Sequence, residues 1–471
     1  MTMKALLLAT LVGLAACSEV PATGESGFSI ISPAAEARMG AAQHPELVRA
    51  FGGVYSDPAL QAYIDQIGAR LTGVSETPGA PFTFTVLNTE MVNAMALPGG
   101  YVYVTRGLIA LADDEAELAG VMAHEIGHVT ARHSSERATR GVLAELGAAV
   151  LGAVLGDPRL GQLAQVGGEA LLQRYSREQE FEADTLGIRY LERAGYPTGA
   201  MASFLATLRR HSELEARRAG RSGDEGFGIM ASHPRTLDRV QRAAAAAGAG
   251  NGQRIDPSPY MRRIDGMLYG DDPAQGVVRG RSFTHPALGL AFEVPEGFAL
   301  LNGESAVLAR HPSGAAIVFD GAPVSPGMDV TQYVARTLAG AALGPIEPLT
   351  VSGLPAATTT ARAQSDGGPM DMRMVAVRWD EDTLYRFLFL APAGRAAAFD
   401  TAFRRTTHSF RRLSPGEAAQ VRPLRLRTVQ ARPGDTIERL AAGGDMERIA
   451  VLNDLRPGQP LEPGRWVKLI E

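Results

Sequence analysis

Residues 121–129 read VMAHEIGHV, and this stretch decides how the first half of the chain is built. On a helix, His124 and His128 are four residues apart, so both imidazoles leave the same face. Two neutral ring nitrogens at this spacing can bind one metal ion, and the neighbouring Glu125 carboxylate can take a proton from a metal-bound water. The stretch therefore predicts a mostly buried helix that carries a zinc site.

The predicted helix begins near Asp113 and ends near His133, because acidic residues favour a helix N-terminus. A tetrahedral zinc site needs a third protein ligand. About fifty residues further on, a second predicted helix carries Glu180 and Asp184, which share one face by their i, i+4 spacing. Glu180 can be the third ligand, and Asp184 is placed to accept a hydrogen bond from a ligand histidine and so select its tautomer.

Shorter elements are predicted ahead of the metal helix. Residues 57–71 have apolar side chains at helical spacing, and residues 82–87 and 101–104 have the pattern of strands. Residues 98–100 read PGG and predict a turn. The segment 91–97 is either an edge strand to which an extended substrate pairs or a sheet edge without that role.

Composition limits the class of protein. The chain has 471 residues, of which 45% are hydrophobic and 21% charged, so it is long enough for two or three globular domains. The formal net charge of -5 gives no overall basic footprint, and we expect no nucleic-acid partner.

The beginning of the chain predicts export. Residues 1–16 combine Lys4 with an apolar run, and residues 14–17 read LAAC, which resembles a bacterial lipobox. The resemblance implies cleavage before Cys17 and lipid attachment to its thiol, hence membrane anchoring on the periplasmic side; Ser18 is compatible with the outer membrane. A cleaved secretory signal without lipid is the alternative. We expect a signal peptide at 1–16 and a tether at 17–40.

Four sequence blocks occur in an order that resembles one peptidase family. They are NAMALPGGY at 93–101, the HEIGH helix, SREQEFEAD at 176–184 and SHP at 232–234. The resemblance is to the CaaX-prenyl-protease and HtpX-like family of zinc peptidases (gluzincins), in its soluble periplasmic BepA-like branch. It covers about residues 40–250.

The resemblance implies a zinc endopeptidase with one Zn²⁺ per chain. Carried over by position, the zinc ligands are His124, His128 and Glu180, the general base is Glu125, and the supporting acid is Asp184. The implied reaction is hydrolysis of peptide bonds, in which Glu125 removes a proton from the attacking water and passes it to the leaving amine.

Two other histidines need separate treatment. The family's His-Pro block lies near the zinc, so we hypothesise that His233 caps the fourth coordination position or contacts the oxyanion. The alternative is that His233 only marks the beginning of a helix. His133 is not expected to be a ligand, because a metzincin would require glycine at position 131 and histidine at position 134, where the chain has Ala131 and Ser134.

The sequence predicts a multidomain α+β protein. A mainly helical metallopeptidase domain with a small sheet is expected at 41–250, a linker at 251–280, and an α+β domain of unknown role at 281–413. Between the two metal helices, residues 141–156 predict a helix that packs as a lid over the cleft. A membrane-surface or partner-binding patch is the alternative for that segment.

The last stretch, residues 424–471, resembles a LysM module. Its predicted order of strand, two short helices and closing strand fits a βααβ plan. The resemblance implies binding to the N-acetylglucosamine chains of peptidoglycan, although the middle of the module is short. A unit that only packs against protein is the alternative.

Different functions follow from these features. We favour an endopeptidase of the cell envelope whose substrates are unfolded or misassembled envelope proteins. A chaperone-like assembly scaffold with a latent zinc site is the alternative, and a peptidoglycan-cleaving zinc hydrolase is a third. Replacement of Glu125 by glutamine separates the first two, because only the peptidase requires the general base.

Overall fold

A computed structural model describes most of the chain, and it divides into two compact units. Unit 1 contains residues 1–48, 53–269 and 425–471, and unit 2 contains residues 49–52 and 270–424. The predicted signal peptide and the predicted lid at 141–156 lie outside the described residues. Those are 17–19, 26–28, 31–137, 139, 175–218, 233, 239, 241–242, 244–245, 255–303, 306–365, 368–441, 444–456 and 458–471.

Helices and strands both run through the described chain, so the fold is mixed α+β. The helices are α1 (Pro33–Ala50), α2 (Pro58–Thr72), α3 (Arg106–Leu111), α4 (Glu115–Thr130), α5 (Arg177–Arg193), α6 (Ala200–Arg218), α7 (Ser258–Ile264), α8 (Val330–Thr337), α9 (Ala396–Ser409), α10 (Pro415–Gln420), α11 (Ile437–Leu440) and α12 (Met446–Leu452). Within the described ranges, no helix has both the length and the apolar character needed to span a membrane.

The strands form several separate sheets. They are β1 (Cys17–Glu19), β2 (Ser26–Phe28), β3 (Thr83–Leu87), β4 (Ala94–Leu97), β5 (Tyr101–Thr105), β6 (Leu268–Tyr269), β7 (Val277–Arg279), β8 (Ser282–His285), β9 (Leu290–Glu293), β10 (Ala299–Asn302), β11 (Val307–Arg310), β12 (Ala316–Pro323), β13 (Glu347–Val351), β14 (Leu354–Ser365), β15 (Gly368–Arg378), β16 (Thr383–Pro392), β17 (Arg411–Arg412), β18 (Leu424–Gln430) and β19 (Trp466–Ile470).

The metal helix α4 lies in the centre of unit 1. All its residues except Glu115 and Val129 are buried. The carboxylate of Asp114 caps its N-terminus by accepting a hydrogen bond from the Glu117 amide at 2.9 Å. The predicted helix is therefore present with the predicted acidic start. Because apolar side chains lie on all its faces, the helix is stable when it is surrounded by the rest of the core.

Helix α5 packs closely against α4. Its N-terminus has a capping box between Ser176 and Gln179. A Cβ atom on Gly127 of α4 would lie 3.0 Å from the Ala183 carbonyl oxygen, and one on Gly187 of α5 would lie 3.1 Å from the His124 amide nitrogen. Glycine at both positions lets the two backbones approach, which brings the side chains of the second motif next to those of the first.

The small sheet of unit 1 has the strand order β3-β5-β4. Strand β5 pairs parallel with β3 and antiparallel with β4. The predicted turn at 98–100 joins β4 to β5, and Gly99 and Gly100 have φ of 83° and 90°, which glycine adopts without steric cost. Strand β4 is thus at an edge of this sheet, as predicted for the segment 91–97.

The structure differs from the expected tether and linker. Helix α1 begins at Pro33, within the predicted tether at 17–40. In the predicted linker at 251–280, helix α7 buries Tyr260, Met261 and Ile264 in the core of unit 1. These three apolar residues lie on one face of a short helix. A pattern this short does not distinguish a helix from a linker in the sequence.

The C-terminal residues also belong to unit 1. Strands β18 and β19 pair antiparallel around α11 and α12, so the βααβ order is present. Strand β18 is the central strand of a three-stranded sheet, with β19 on one side and β6 on the other. Leu426 and Leu452 are part of the same hydrophobic core as the metal helix.

Unit 2 is built on a seven-stranded antiparallel sheet with the order β10-β11-β12-β16-β15-β14-β13. Alternate residues of each strand face opposite sides. On β15, Val375 and Val377 join an aromatic core with Phe403 of α9, whereas Met374 and Ala376 join a second core with Val334 of α8. The prediction of helices against a mostly antiparallel sheet is therefore met. A second sheet has the order β17-β9-β8-β7.

Candidate metal centre

Four buried side chains converge at the crossing of α4 and α5. They are His124, His128, Glu180 and His233, and each offers a ligand atom within 4.8 Å of those of the other three. The Nε2 atoms of His124 and His128 are 3.0 Å apart. Glu180 Oε1 lies 3.4 Å from His128 Nε2, and Glu180 Oε2 lies 3.7 Å from His124 Nε2. Two helices thus bring the predicted ligands to one point.

The donor set is suited to a metal ion such as zinc, which prefers imidazole and carboxylate ligands. Glu125 supports this fit, because it is completely buried and neither of its carboxylate oxygens accepts a hydrogen bond from any described residue. A buried, unsatisfied carboxylate is costly unless a further group is to occupy the space before it. A metal ion with a bound water meets that requirement.

Asp184 contacts the first histidine. Its Oδ1 lies 2.9 Å from His124 Nδ1, so that ring nitrogen donates to Asp184 and Nε2 faces the other ligand atoms. Arg239 donates to both oxygens of Asp184, at 2.8 and 2.7 Å. Burial opposes ionisation, but Arg239 and His124 outweigh it and lower the pKa of Asp184 to about 2.

Glu180 is held in its charged form by several partners. Arg239 forms an ion pair with its Oε2 at 2.8 Å. Burial alone would raise the pKa of Glu180, but His233, His128 and Arg239 together hold it well below its usual range. Burial also lowers the pKa of His128, which keeps that imidazole neutral. Both groups therefore have the protonation states that metal ligands require.

His233 is the fourth residue of the cluster. Its Nδ1 is 2.7 Å from Glu180 Oε1 and 3.3 Å from His124 Nε2, and its Nε2 is 3.6 Å from Glu125 Oε1. Burial acts against protonation, but Glu180 and Glu125 raise the pKa of His233 above its usual value. The histidine of the SHP block is thus among the ligand atoms, 109 residues from His124 in the chain.

The second histidine is enclosed by Tyr175 and His133. The ring of Tyr175 stacks on that of His128 with centroids 3.7 Å apart, and Arg137 lies 3.7 Å from the centroid of the Tyr175 ring. His133 Nδ1 lies 2.8 Å from His128 Nδ1. The sequence did not predict His133 as a ligand, and in the structure its ring contacts the nitrogen of His128 that faces away from the other ligand atoms.

Arg239 is the residue of this site that sequence reasoning missed. It is 5% exposed and contacts Asp184, Glu180 and His124. Arginine and lysine together occur 46 times in the chain, and nothing in the local pattern around position 239 marks this arginine as buried. Only the fold brings it to the Asp184 carboxylate, 55 residues away in the chain.

A small cavity adjoins the cluster between α4 and α6. Its polar lining residues are His124, His233 and Arg239, and its apolar lining residues are Val121, Met201, Phe204, Leu205 and Leu208.

An H-E-x-x-H helix joined by a glutamate from a second helix defines the metal site of a peptidase class. Residues 58–247 of the chain match the model of Peptidase family M48. The match includes all four clustered side chains.

Curated relatives agree with this family. The chain is 33% identical over 209 residues to the beta-barrel assembly-enhancing protease of Escherichia coli (strain K12). This match covers 42% of each of the two chains. It is 27% identical over 227 residues to the mitochondrial metalloendopeptidase OMA1 of Schizosaccharomyces pombe, covering 47% of this chain and 64% of that one. It is also 30% identical over 166 residues to metalloprotease YcaL of Escherichia coli (strain K12), covering 35% and 61%. The chain spans less than two thirds of the length of these relatives.

Proposed function

We propose that this chain is a zinc-dependent endopeptidase of the bacterial cell envelope. The observation that carries the proposal is the buried cluster of His124, His128 and Glu180, together with Glu125, whose carboxylate accepts no hydrogen bond from a described residue. The M48 domain at residues 58–247 supports the same reaction. A bound zinc ion would supply a polarised water and electrostatic stabilisation of the developing negative charge.

The side chains of this site have separate roles in the proposed reaction. His124, His128 and Glu180 hold the ion, and Asp184 orients the His124 ring. Glu125 is completely buried, and its carboxylate takes the proton of the water that attacks the peptide carbonyl. It then delivers this proton to the leaving amine.

Strand β4 provides the proposed binding edge for the substrate. It pairs on one side with β5, while no described strand pairs with its other side. An extended peptide could add there as a further strand, with main-chain hydrogen bonds that do not depend on sequence. Such binding suits unfolded segments of many proteins.

The proposed substrates are unfolded or misassembled envelope proteins. This proposal draws on the name of the beta-barrel assembly-enhancing protease, a relative with 33% identity. Lipid attachment at Cys17, supported by the LAAC sequence, would anchor the enzyme on the periplasmic side of the outer membrane. Metabolic labelling with a fatty acid, compared between the native chain and Cys17→Ala, tests the anchor.

The C-terminal βααβ unit is proposed to be LysM-like, with peptidoglycan as its ligand. Its element order supports this proposal. Co-sedimentation of the protein with purified peptidoglycan sacculi tests it. Failure to sediment would leave packing within unit 1 as the role of these residues.

His233 is proposed to occupy the fourth ligand position in the resting enzyme. Its Nδ1 lies 2.7 Å from Glu180 Oε1 and 3.3 Å from His124 Nε2. A substrate would then have to displace this ring, so the site would be latent until a substrate binds. We expect His233→Ala to keep or raise cleavage of an unfolded protein.

The deciding experiment compares zinc content by mass spectrometry and cleavage of unfolded casein in the native protein and Glu125→Gln. We expect about one zinc per chain in both and a loss of cleavage of about 10²–10⁴-fold in the variant, because general acid–base catalysis contributes about that factor. Equal cleavage by both proteins would disprove the peptidase mechanism. Zinc without cleavage in the native protein and in His233→Ala would favour the chaperone-like scaffold.

A further inference from the structure

His133 and Glu182 form a chain of contacts that begins at His128. His133 Nδ1 lies 2.8 Å from His128 Nδ1, and His133 Nε2 lies 3.2 Å from Glu182 Oε2. His128 and His133 are each 1% exposed, whereas the Glu182 side chain is 34% exposed. The chain of contacts therefore runs from the buried ligand histidine to the protein surface.

The hydrogen-bond directions follow from the chemistry of the rings. His128 Nε2 faces the other ligand atoms, 3.4 Å from Glu180 Oε1, so this nitrogen must keep its lone pair for a metal ion. In a neutral imidazole the proton is then on Nδ1, which donates to His133 Nδ1. His133 consequently carries its own proton on Nε2 and donates it to the Glu182 carboxylate.

We propose that His133 and Glu182 are positioning residues that select the tautomer and the ring orientation of His128. They would do for the second ligand histidine what Asp184 does for the first, whose Nδ1 lies 2.9 Å from Asp184 Oδ1. This inference rests on the proposed metal site, but it concerns contacts that are present without the ion.

The backbone conformation after α4 brings the His133 ring to the His128 ring. Residues five apart on a continuous helix are rotated by about 140° from one another, so their side chains do not meet. Here α4 ends at Thr130, and Arg132 adopts a left-handed φ of 58° that turns the chain back. Such a conformation is unfavourable for a residue with a side chain. Arg132 is held in it by Glu36, which accepts from Arg132 Nε at 2.8 Å, and by the Ile31 carbonyl.

The competing explanation is that His133 only fills space. Its ring also lies 6.1 Å from that of Tyr175, which stacks on His128. Two substitutions separate the explanations. His133→Phe fills the space and removes both hydrogen bonds. His133→Asn places an amide oxygen near the position of Nδ1, so it keeps the acceptor for His128 and loses the link to Glu182.

The first measurement uses the metal-free protein. Long-range ¹⁵N–¹H NMR at pH 8 reports which imidazole nitrogen carries the proton, and the chain has 9 histidines to assign. We expect the Nδ1–H tautomer of His128 in the native protein and in His133→Asn, and a mixture of tautomers in His133→Phe. A native His128 with its proton on Nε2, or a tautomer unchanged by His133→Phe, would overturn the proposal.

The second measurement is zinc affinity by competition with a chelator. We expect His133→Phe to weaken binding by about 10–100-fold, the usual effect of removing a partner of a ligand histidine, and His133→Asn to retain most of it. Glu182 is partly exposed, so Glu182→Gln should not impair folding. We expect this variant to weaken zinc binding less than His133→Phe does. His44→Gln is the matched control, since His44 bonds Tyr103 away from the site.

The outcomes distinguish this inference from the proposed function. Native protein that binds no zinc would refute the proposed function, while the tautomer measurement would still decide the inference. Native protein that binds zinc with an affinity that neither His133→Phe nor Glu182→Gln changes would refute the inference alone. Zinc affinity that is retained in His133→Phe and lost in His133→Asn would assign His133 a packing role and likewise overturn it.

Discussion

Arg239 determines how two acidic side chains can be buried next to each other. Glu180 and Asp184 are 1% and 4% exposed, and the guanidinium group bonds both. Carboxylates this close repel one another in a medium of low dielectric constant, so without a cation one of them would take up a proton. A protonated Asp184 would no longer hold the His124 ring as an ionised partner does.

At this site we predict that Arg239→Met destabilises the metal-free protein by about 3–5 kcal/mol, the usual cost of leaving one partner of a buried ion pair uncompensated. Urea unfolding in the presence of a chelator measures it. Arg362→Met is the control, because the Arg362 side chain is 83% exposed and its ion pair with Asp371 is worth little. Equal stability of Arg239→Met and the native protein would contradict this account of the site.

At the scale of elements, a buried acid links α4 to α6. Glu117 is 3% exposed, its Oε2 accepts from the Asp113 amide at 2.9 Å, and its Oε1 accepts from Ser203 Oγ at 2.5 Å. Asp114 and Tyr260 also face it. Burial, followed by the charge of Asp113, raises the pKa of Glu117 to about 8. The acid is therefore protonated in the folded state near neutral pH.

The sign of the pH dependence follows from this raised pKa. The folded state binds a proton that the unfolded state releases above its ordinary value of 4.5, so stability is complete below that pH and falls as the pH rises towards about 8. We predict that Glu117→Gln removes this part of the decrease, because the amide stays neutral. Lys468, which bonds Asp113, is present in both proteins.

Urea unfolding of the metal-free native protein and Glu117→Gln from pH 5 to pH 8 tests this prediction. The stability of the variant relative to the native protein should increase steadily with pH. Glu213→Gln serves as the control, since the Glu213 side chain is 48% exposed. A difference between Glu117→Gln and the native protein that does not change with pH would show that Glu117 is ionised in the folded state.

At the scale of the whole molecule, the last strand of the chain is joined to the start of the metal helix. Lys468 is completely buried, and its Nζ donates to the carbonyl oxygens of Leu111 and Ala112 at 3.1 and 2.8 Å. It also forms an ion pair with Asp113 at 2.9 Å. A cation there satisfies the carbonyl groups at the end of α3.

A second contact links α6 to the C-terminal residues. Arg218 donates to both carboxylate oxygens of Asp445, at 2.8 and 2.6 Å. Helix α6 also provides the apolar wall of the cavity beside His124, through Met201 and Phe204. Residues 425–471 therefore help to hold an element that borders the metal centre.

For this interface we predict that Lys468→Met lowers the free energy of unfolding by about 1.5–3 kcal/mol, the usual value of hydrogen bonds to a charged group. Thermal unfolding should also show one transition for residues 425–471 and the rest of unit 1, because Leu426 and Leu452 lie in the hydrophobic core of that unit. Arg427→Met is the control, as its ion pair with Glu471 is exposed. A C-terminal unit that unfolds separately, with unchanged stability of the rest, would contradict the prediction.

The sequence by itself determined the two helices of the candidate metal centre and the residue types that they present there. The i, i+4 spacing in HEIGH and in the block with Glu180 and Asp184 was sufficient to predict two helices that each present a pair of side chains, because helical periodicity is a local property. The acidic residue Asp113 marked approximately where the first of these helices begins, for the same reason. The strands of unit 2 followed from alternation of apolar residues, which is also local.

Only the tertiary structure decided which distant residues complete the site. Arg239 meets Asp184, and Lys468 meets Asp113, across 55 and 355 residues of chain, and no local pattern distinguishes these two cations from the exposed ones. His133 reaches His128 because the chain turns at Arg132, a conformation held by long-range bonds to Glu36 and Ile31. The burial of these groups depends on the packing of whole helices, so their partners, charges and roles are properties of the folded chain and not of any short stretch of it.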